Sequence, residues 1–363
     1  MNPLMLFTVL GTTLLGSILP AVASASETPA HSPLVRVEGR TAPGKDGRLR
    51  LGFPGVTLHL RVRGHALAMG VEASSDQVYF DVLVDRRPPV VLRAHAGAGR
   101  YPLLAPDTAD GEHIVTIVRR SESWQGTCEI TGFTTANGGE LLTPPAAANR
   151  RLMFIGDSVT CGEYIEYRPD DPIGDDSHTT NARLTYAMEL ARRLGAECTL
   201  VSAGGRGVIR DWQGIRTTLN APQFYELALP DDPAAAWDPA AYVPDAIGIC
   251  LGTNDFSQGI PDEREFVNAY VEFLRKIRRD APQAWIFLME SPILIDGPDG
   301  GVPKRSTLRG YLQEIITRAG DPRVVFAPVS HYPGVPNNGH PVAAENRAMA
   351  DALEPLFRQT LGW

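Results

Sequence analysis

The stretch Arg151-Leu152-Met153-Phe154-Ile155-Gly156-Asp157-Ser158-Val159-Thr160-Cys161-Gly162 decides how the larger part of this chain reads. Leu152–Ile155 is a short apolar run with arginines before it and a glycine after it. That is the pattern of a strand buried on both faces of a parallel sheet. At Gly156-Asp157-Ser158 the strand pattern stops, and residues able to open a helix follow. A serine at a strand-to-helix turn lies at the carboxyl edge of the sheet, where open α/β folds bind their ligands. The same tripeptide also suits an ordinary helix N-cap, a place that Asp and Ser both favour. The residues downstream separate the two readings.

Outward from this stretch the grammar is consistent. Apolar runs at 152–155, 198–202, 246–251, 284–289 and 323–327 alternate with helical segments expected at Ala182–Leu194, Glu263–Arg279, Lys304–Arg318 and Pro341–Gln359. Phe266, Tyr270, Phe273, Leu274 and Ile277 share one face of the second helix. Alternation of this kind predicts a parallel sheet with helices on both faces over 151–363. Upstream, residues 34–142 carry short alternating runs such as Val56–Arg63, Val78–Val84 and His113–Arg119, separated by Gly, Pro, Asp and Asn clusters. These predict an antiparallel β-sandwich of jelly-roll type. Residues 143–150, opened by Thr143-Pro144-Pro145, read as a linker.

Residues 1–25 read as a secretory signal: Leu4–Leu19 is apolar and Ala21-Val22-Ala23-Ser24-Ala25 offers a cleavage site before Ser26, although no Lys or Arg precedes the apolar run. Export to a secreted or periplasmic location follows, with no membrane association after cleavage. The 363 residues carry a net charge of −8, which supplies no basic footprint for nucleic acid. Neither the eight histidines nor the four cysteines fall at zinc spacing. Cys198 and Cys250, both inside apolar runs, read as buried small hydrophobes. Asp170, Asp171, Asp175, Asp176 and His178 lack the ladder of a calcium loop and read as a solvated loop. No metal or cofactor is expected.

Three further segments follow strand ends of the second domain: Leu200–Gly207, Ile249–Asp255 and Asn337-Asn338-Gly339-His340-Pro341. By this topology Ser158, a glycine near 205, Asn254 and His340 converge at one sheet edge. A serine needs a base to become nucleophilic at neutral pH, and a neutral imidazole suits that task. The oxyanion then needs donors, which the Ser158 N–H, a glycine N–H and the Asn254 amide supply. His331 is the rival base, set in a loop-like run. Asp157 and Asp255 read as turn residues bonded to backbone. Trp212, Tyr225 and Trp237 lie in long loops, where an aromatic either offers a flat apolar face for binding or packs the loop down. Phe256 is a wall of the acyl pocket or core.

The ordered blocks Gly156-Asp157-Ser158, the glycine after the second strand, Gly252-Thr253-Asn254-Asp255 and His340-Pro341 resemble the SGNH (GDSL-type) hydrolase superfamily. More narrowly, Gly156–Gly162, Gly204–Val208, the loop ending in Trp237-Asp238 and Leu251–Ser257 look like carbohydrate esterase family 2. The resemblance implies an α/β three-layer sandwich preceded by an all-β jelly roll, and hydrolysis of acetyl esters on sugars. It makes Ser158 the nucleophile, His340 the base, and Ser158, Gly205 and Asn254 the oxyanion hole. Most of the superfamily has Asp three residues before the histidine; here that position is Asn337, which leaves the third member, Asn337 or a backbone carbonyl, open. The expected partner is an acetylated polysaccharide or oligosaccharide, handled by a monomer. Alternatives are a lipid-ester or thioester hydrolase of the same superfamily, and an inactive carbohydrate-binding homologue.

Overall fold

The computed structural model describes residues 25–136, 138–171, 177–297, 301–336 and 338–363. The signal segment, Asp175, Asp176 and Asn337 lie outside the described residues apart from Ala25. Arg150–Gly156 is the second strand across a five-stranded parallel sheet, between Ala196–Ser202 on one side and Ala246–Cys250 on the other. Trp285–Met289 and Val324–Ala327 complete the sheet. In chain order the strands run 2-1-3-4-5, so the winding reverses between the first strand and the third. A crevice opens at such a reversal, because the connections leave on opposite faces.

The strand Arg150–Gly156 is apolar from Leu152 onward because both its faces are covered. Leu152 and Phe154 join a core with Tyr186, Leu190, Met349 and Phe357. Met153 and Ile155 join one with Phe266, Tyr270, Leu308 and Leu312. The helices Tyr186–Leu194 and Ala343–Leu361 pack together on the first side, Glu263–Asp280 and Lys304–Ala319 on the second. The first expected helix is interrupted: Ala182–Leu184 is a 3-10 turn, and Thr185 then starts the α-helix by accepting from Met188 N–H. A β-branched residue with a hydroxyl that caps competes with helix continuation there.

Ahead of this sheet lie two six-stranded sheets whose paired strands are antiparallel. Leu58, Leu60 and Val62 point inward from Thr57–Arg63, while Arg61 and Arg63 face water. Val78–Val84 is different, since its outer face is also covered. There Asp81, 1% exposed, receives bonds from Arg120 at 3.1 Å and Asn181 at 3.0 Å, and from Arg183. Arg40 donates to the carbonyl of Leu227 at 2.9 Å, and Phe53 meets Phe224 edge-on at 6.4 Å between centroids. One continuous apolar core therefore runs from the β-sandwich into the α/β layer. The four cysteines are free and buried.

Candidate active site

Strand register levels the loops that carry the site. Gly156 pairs with Ser202 on one neighbour and with Cys250 on the other, so three strands end at one height. Ser158 follows the first, Gly204 and Gly205 the second, Asn254 the third. Gly156 permits the sharp turn, because a Cβ there would sit 2.0 Å from Thr160 Oγ1. Asp157 caps the short helix Ser158–Cys161 by accepting from Val159 N–H, and Gly162 ends it in the left-handed region. Burial pushes the Asp157 carboxyl up to about 7. The cap reading and the nucleophile reading thus apply to adjacent residues.

His340 arrives from the last loop, just before the helix Ala343–Leu361. The turn that carries it is closed by Val335 N–H donating to His340 O at 3.0 Å and Gly339 N–H to Val335 O at 2.7 Å. Gly334 has φ +62, and a side chain there would meet the His340 carbonyl at 2.4 Å. Nε2 of His340 lies 2.7 Å from Ser158 Oγ. On the other side of the ring Asn338 Oδ1 accepts from Nδ1–H. This fixes the tautomer that leaves Nε2 free to take the serine proton. Burial lowers the pKa of the ring to about 4. Glu163 Oε2 stands 3.5 Å from Nε2, and the Tyr164 ring lies 5.7 Å from the imidazole. Tyr164 itself has φ +56, an uncommon conformation for a bulky residue and one that clusters at functional sites.

The segment after the second strand is held at almost every position. Gly204 N–H donates to Glu122 at 2.7 Å, and Gly205 O accepts from Trp212 N–H at 2.9 Å. Arg206 O accepts from Asn254 Nδ2 at 2.9 Å, and Asp255 accepts from the N–H groups of Val208 and Ile209. Asp255 therefore bonds backbone, though that of a neighbouring loop, and burial raises its pKa to about 6. The other hydrogen of the Asn254 amide faces Asp157 Oδ2 at the longer distance of 3.3 Å.

Ser158, Gly205, Asn254 and His340 all line one cavity of about 760 Å³. Trp212 borders it, 55% exposed. The other aromatics named from the sequence do not. Tyr225, 4% exposed, packs on Phe273 and under the Arg40 guanidinium. Trp237 covers Ala42, Ala228 and Leu229 and also faces Arg40, at 4.9 Å. Phe256, 0% exposed, packs against Phe266 and Tyr311 beneath the site. In each the ring's large apolar area outweighs its use as a binding face. His331 is bound to the Pro292 carbonyl and is not at the cavity.

Five cavity residues have no role in the sequence reading: Trp124, Glu163, Asp211, Thr218 and Asn338. Trp124, 53% exposed, comes from the β-sandwich loop after Glu112–Arg119. A tryptophan in the polar turn Ser121-Glu122-Ser123-Trp124-Gln125-Gly126 was the available signal. Among the described residues no group of three or more His, Cys, Asp or Glu is placed to hold a metal ion.

A serine and histidine joined at the reversal of a parallel sheet, above a segment of fixed backbone donors, define a hydrolase of the GDSL-like class. Residues 154–359 match the GDSL-like Lipase/Acylhydrolase family, and residues 37–145 match the Carbohydrate esterase 2 N-terminal family. An acetylxylan esterase / glucomannan deacetylase of Cellvibrio japonicus is 37% identical, over 94% of this chain and 93% of the relative. The structure of a family two carbohydrate esterase from Cellvibrio japonicus superposes with TM-score 0.88 at 36% identity, over 94% of this chain and 99% of that one. One from Clostridium thermocellum, in complex with cellohexaose, has TM-score 0.81 at 26% identity, over 91% and 99%. This chain belongs to carbohydrate esterase family 2. It is a carboxylic-ester hydrolase.

Proposed function

We propose that the chain removes O-acetyl groups from a polysaccharide of the xylan or glucomannan type, through an acetyl-enzyme on Ser158. The observation that carries this is the 2.7 Å contact from Ser158 Oγ to His340 Nε2, in a cavity bordered by two exposed tryptophans. Ser158 Oγ bonds to the acetyl carbonyl carbon as its proton passes to Nε2. The carbonyl oxygen, now an anion, receives the N–H groups of Ser158 and Gly205 and the second hydrogen of the Asn254 amide, which gives up its long contact to Asp157. The ester C–O bond breaks, and the sugar oxygen takes the proton from Nε2. A water then gives a proton to Nε2 and bonds to the acetyl carbon; the bond from that carbon to Ser158 Oγ breaks, Oγ takes the proton back from Nε2, and acetate leaves. Trp124 and Trp212 offer flat apolar faces to sugar rings on either side.

The test is acetate release from acetylated xylan and acetylated glucomannan. Release that disappears in Ser158→Ala is expected; no release by the native enzyme, or undiminished release by that variant, overturns the proposal. Export is part of the same reading, carried by the apolar segment and cleavage site of residues 1–25. A mature chain beginning at Ser26 is expected from N-terminal sequencing of the protein recovered outside the cytoplasm, and a retained Met1 overturns it.

A further inference from the structure

The loop Arg120–Thr127 of the β-sandwich reaches the catalytic cavity with more than Trp124. Glu122, 1% exposed, accepts from Gly204 N–H at 2.7 Å across the junction between the two parts of the chain. We infer that Glu122 is a positioning residue for the esterase reaction, holding the Gly204–Gly205 segment so that the Gly205 N–H faces the developing oxyanion. This rests on Gly205 being an oxyanion donor, as proposed above.

Four observations carry it. First, Glu122 is itself fixed: its N–H donates to Gln125 Oε1 at 2.9 Å, and its carbonyl accepts from Arg119 at 3.2 Å. Gln125 in turn donates to Thr180 Oγ1 at 3.0 Å, and Arg120 donates to the carbonyls of Thr180 and His178, so the loop is tied to the α/β part beyond Glu122 itself. Second, position 204 is shaped for the carboxylate, because a Cβ on Gly204 would sit 2.3 Å from Glu122 Oε2. Third, Gly205, with φ +73, is pinned from the far side by Trp212 N–H on its carbonyl. Fourth, the Cys161 thiol, at the end of the Ser158 helix, lies near enough for Glu122 to raise its pKa, after the larger effect of burial.

The physical argument is one of preorganisation. An oxyanion hole works because its donors already point at the anion and need not turn during the reaction. A glycine pair in a loop has many backbone conformations open to it, so its aim must be imposed from outside. Asn254, Asn220 and Asp255 hold residues 206–209 from within the α/β part. Glu122 is the hold on residue 204, and the β-sandwich provides it. The β-sandwich is thereby a component of the catalytic apparatus rather than a separable binding module.

The experiment measures turnover of 4-nitrophenyl acetate, which needs no glycan recognition, by Glu122→Leu, Glu122→Gln and Gly204→Ala. Rates are expressed per active site titrated with a fluorophosphonate, so that misfolded protein does not count. Removal of an oxyanion donor costs about a hundredfold or more, so a misdirected one in Glu122→Leu is expected to lower kcat by about thirtyfold with KM little changed. Glu122→Gln retains an oxygen for Gly204 and is expected to stay within about threefold of the native rate. Gly204→Ala displaces the carboxylate without emptying its site and should match Glu122→Leu, which also covers the case of a Leu variant that does not fold. Affinity for an alkylboronic acid, a mimic of the tetrahedral adduct, should fall in step with kcat. Native kcat in Glu122→Leu and Gly204→Ala, with or without a lower melting temperature, overturns the inference, as does a Gln variant no better than Leu. If Ser158→Ala or Asn254→Ala keeps full activity, the site reading itself has failed, a result distinct from either.

Discussion

Asn338 and His340, two residues apart on one tight turn, are joined by a bond from Nδ1–H to the amide oxygen. The sequence reading leaves the orienting group open between Asn337 and a backbone carbonyl; among the described residues the ring is met by the side chain of Asn338 and by that residue's backbone. An amide oxygen holds the imidazole tautomer as a carboxylate does, but brings no negative charge to stabilise the imidazolium. The ring is also largely buried, and its pKa is lowered to about 4. Both facts make proton uptake by His340 harder at rest than in a Ser-His-Asp site.

The first consequence is an activity profile that extends into acid. A base must be neutral to accept a proton, and His340 stays neutral until the pH falls to about 4. The acid limb of kcat/KM on a short acetyl ester is therefore expected near pH 4, not near the ordinary histidine value. Asn338→Asp puts a carboxylate on Nδ1, which favours the charged ring and should move that limb upward by a unit or more, roughly the effect of one adjacent opposite charge. A limb that does not move would show that Asn338 does not govern the ring.

Loss of each site residue should be graded. Ser158→Ala and His340→Ala remove the proposed nucleophile and base and should leave the least activity. Asn254→Ala removes one of the three proposed donors, and a loss of about a hundredfold in kcat is expected. Asn338→Ala leaves the base in place but unoriented, with an expected loss of about tenfold, near 1.4 kcal/mol. An Asn338→Ala enzyme as inactive as Ser158→Ala would make Asn338 indispensable to the reaction.

The aromatics should divide by burial. Trp124→Ala and Trp212→Ala lie at exposed positions and should raise KM on acetylated oligosaccharides while leaving the melting temperature and the 4-nitrophenyl acetate rate near native. Tyr225→Ala opens a hole under Arg40 and Phe273, and should cost about 3–5 kcal/mol of stability, the range of buried aromatic truncations. Thermal unfolding and kinetics on the three variants check this. Equal loss of stability in all three would erase the distinction.

Asp81 tests how firmly the two parts are joined. Its carboxylate is buried between Arg120, Arg183 and Asn181, which come from both sides of the junction. Asp81→Ala leaves Arg120 without this partner in a buried setting, so a loss of about 3 kcal/mol or more is expected in denaturant unfolding. A change within about 0.5 kcal/mol, as for an ordinary surface substitution, would contradict the burial argument.

What the sequence determined by itself was whatever local pattern encodes. The apolar run Leu152–Ile155 reads as a strand covered on both faces, and Glu263–Asp280 shows its helical stripe in Phe266, Tyr270, Phe273, Leu274 and Ile277. The turn residues after each strand marked the sheet edge, and with it Ser158, a glycine near 205, Asn254 and His340. Tertiary structure decided matters that depend on which surfaces meet. Tyr225, Trp237 and Trp212 all sit in long loops and look alike in sequence, yet only Trp212 borders the cavity; Arg40, almost two hundred residues before Tyr225 and Trp237, draws the other two into the junction. That the Asn338 amide reaches Nδ1 is decided by the path of one turn. Trp124 borders the cavity and Glu122 meets Gly204 only because the β-sandwich docks with that loop over the sheet edge. Strand and helix periods are short-range and survive in the sequence, whereas docking is set by the sum of many distant contacts and is written in no single stretch.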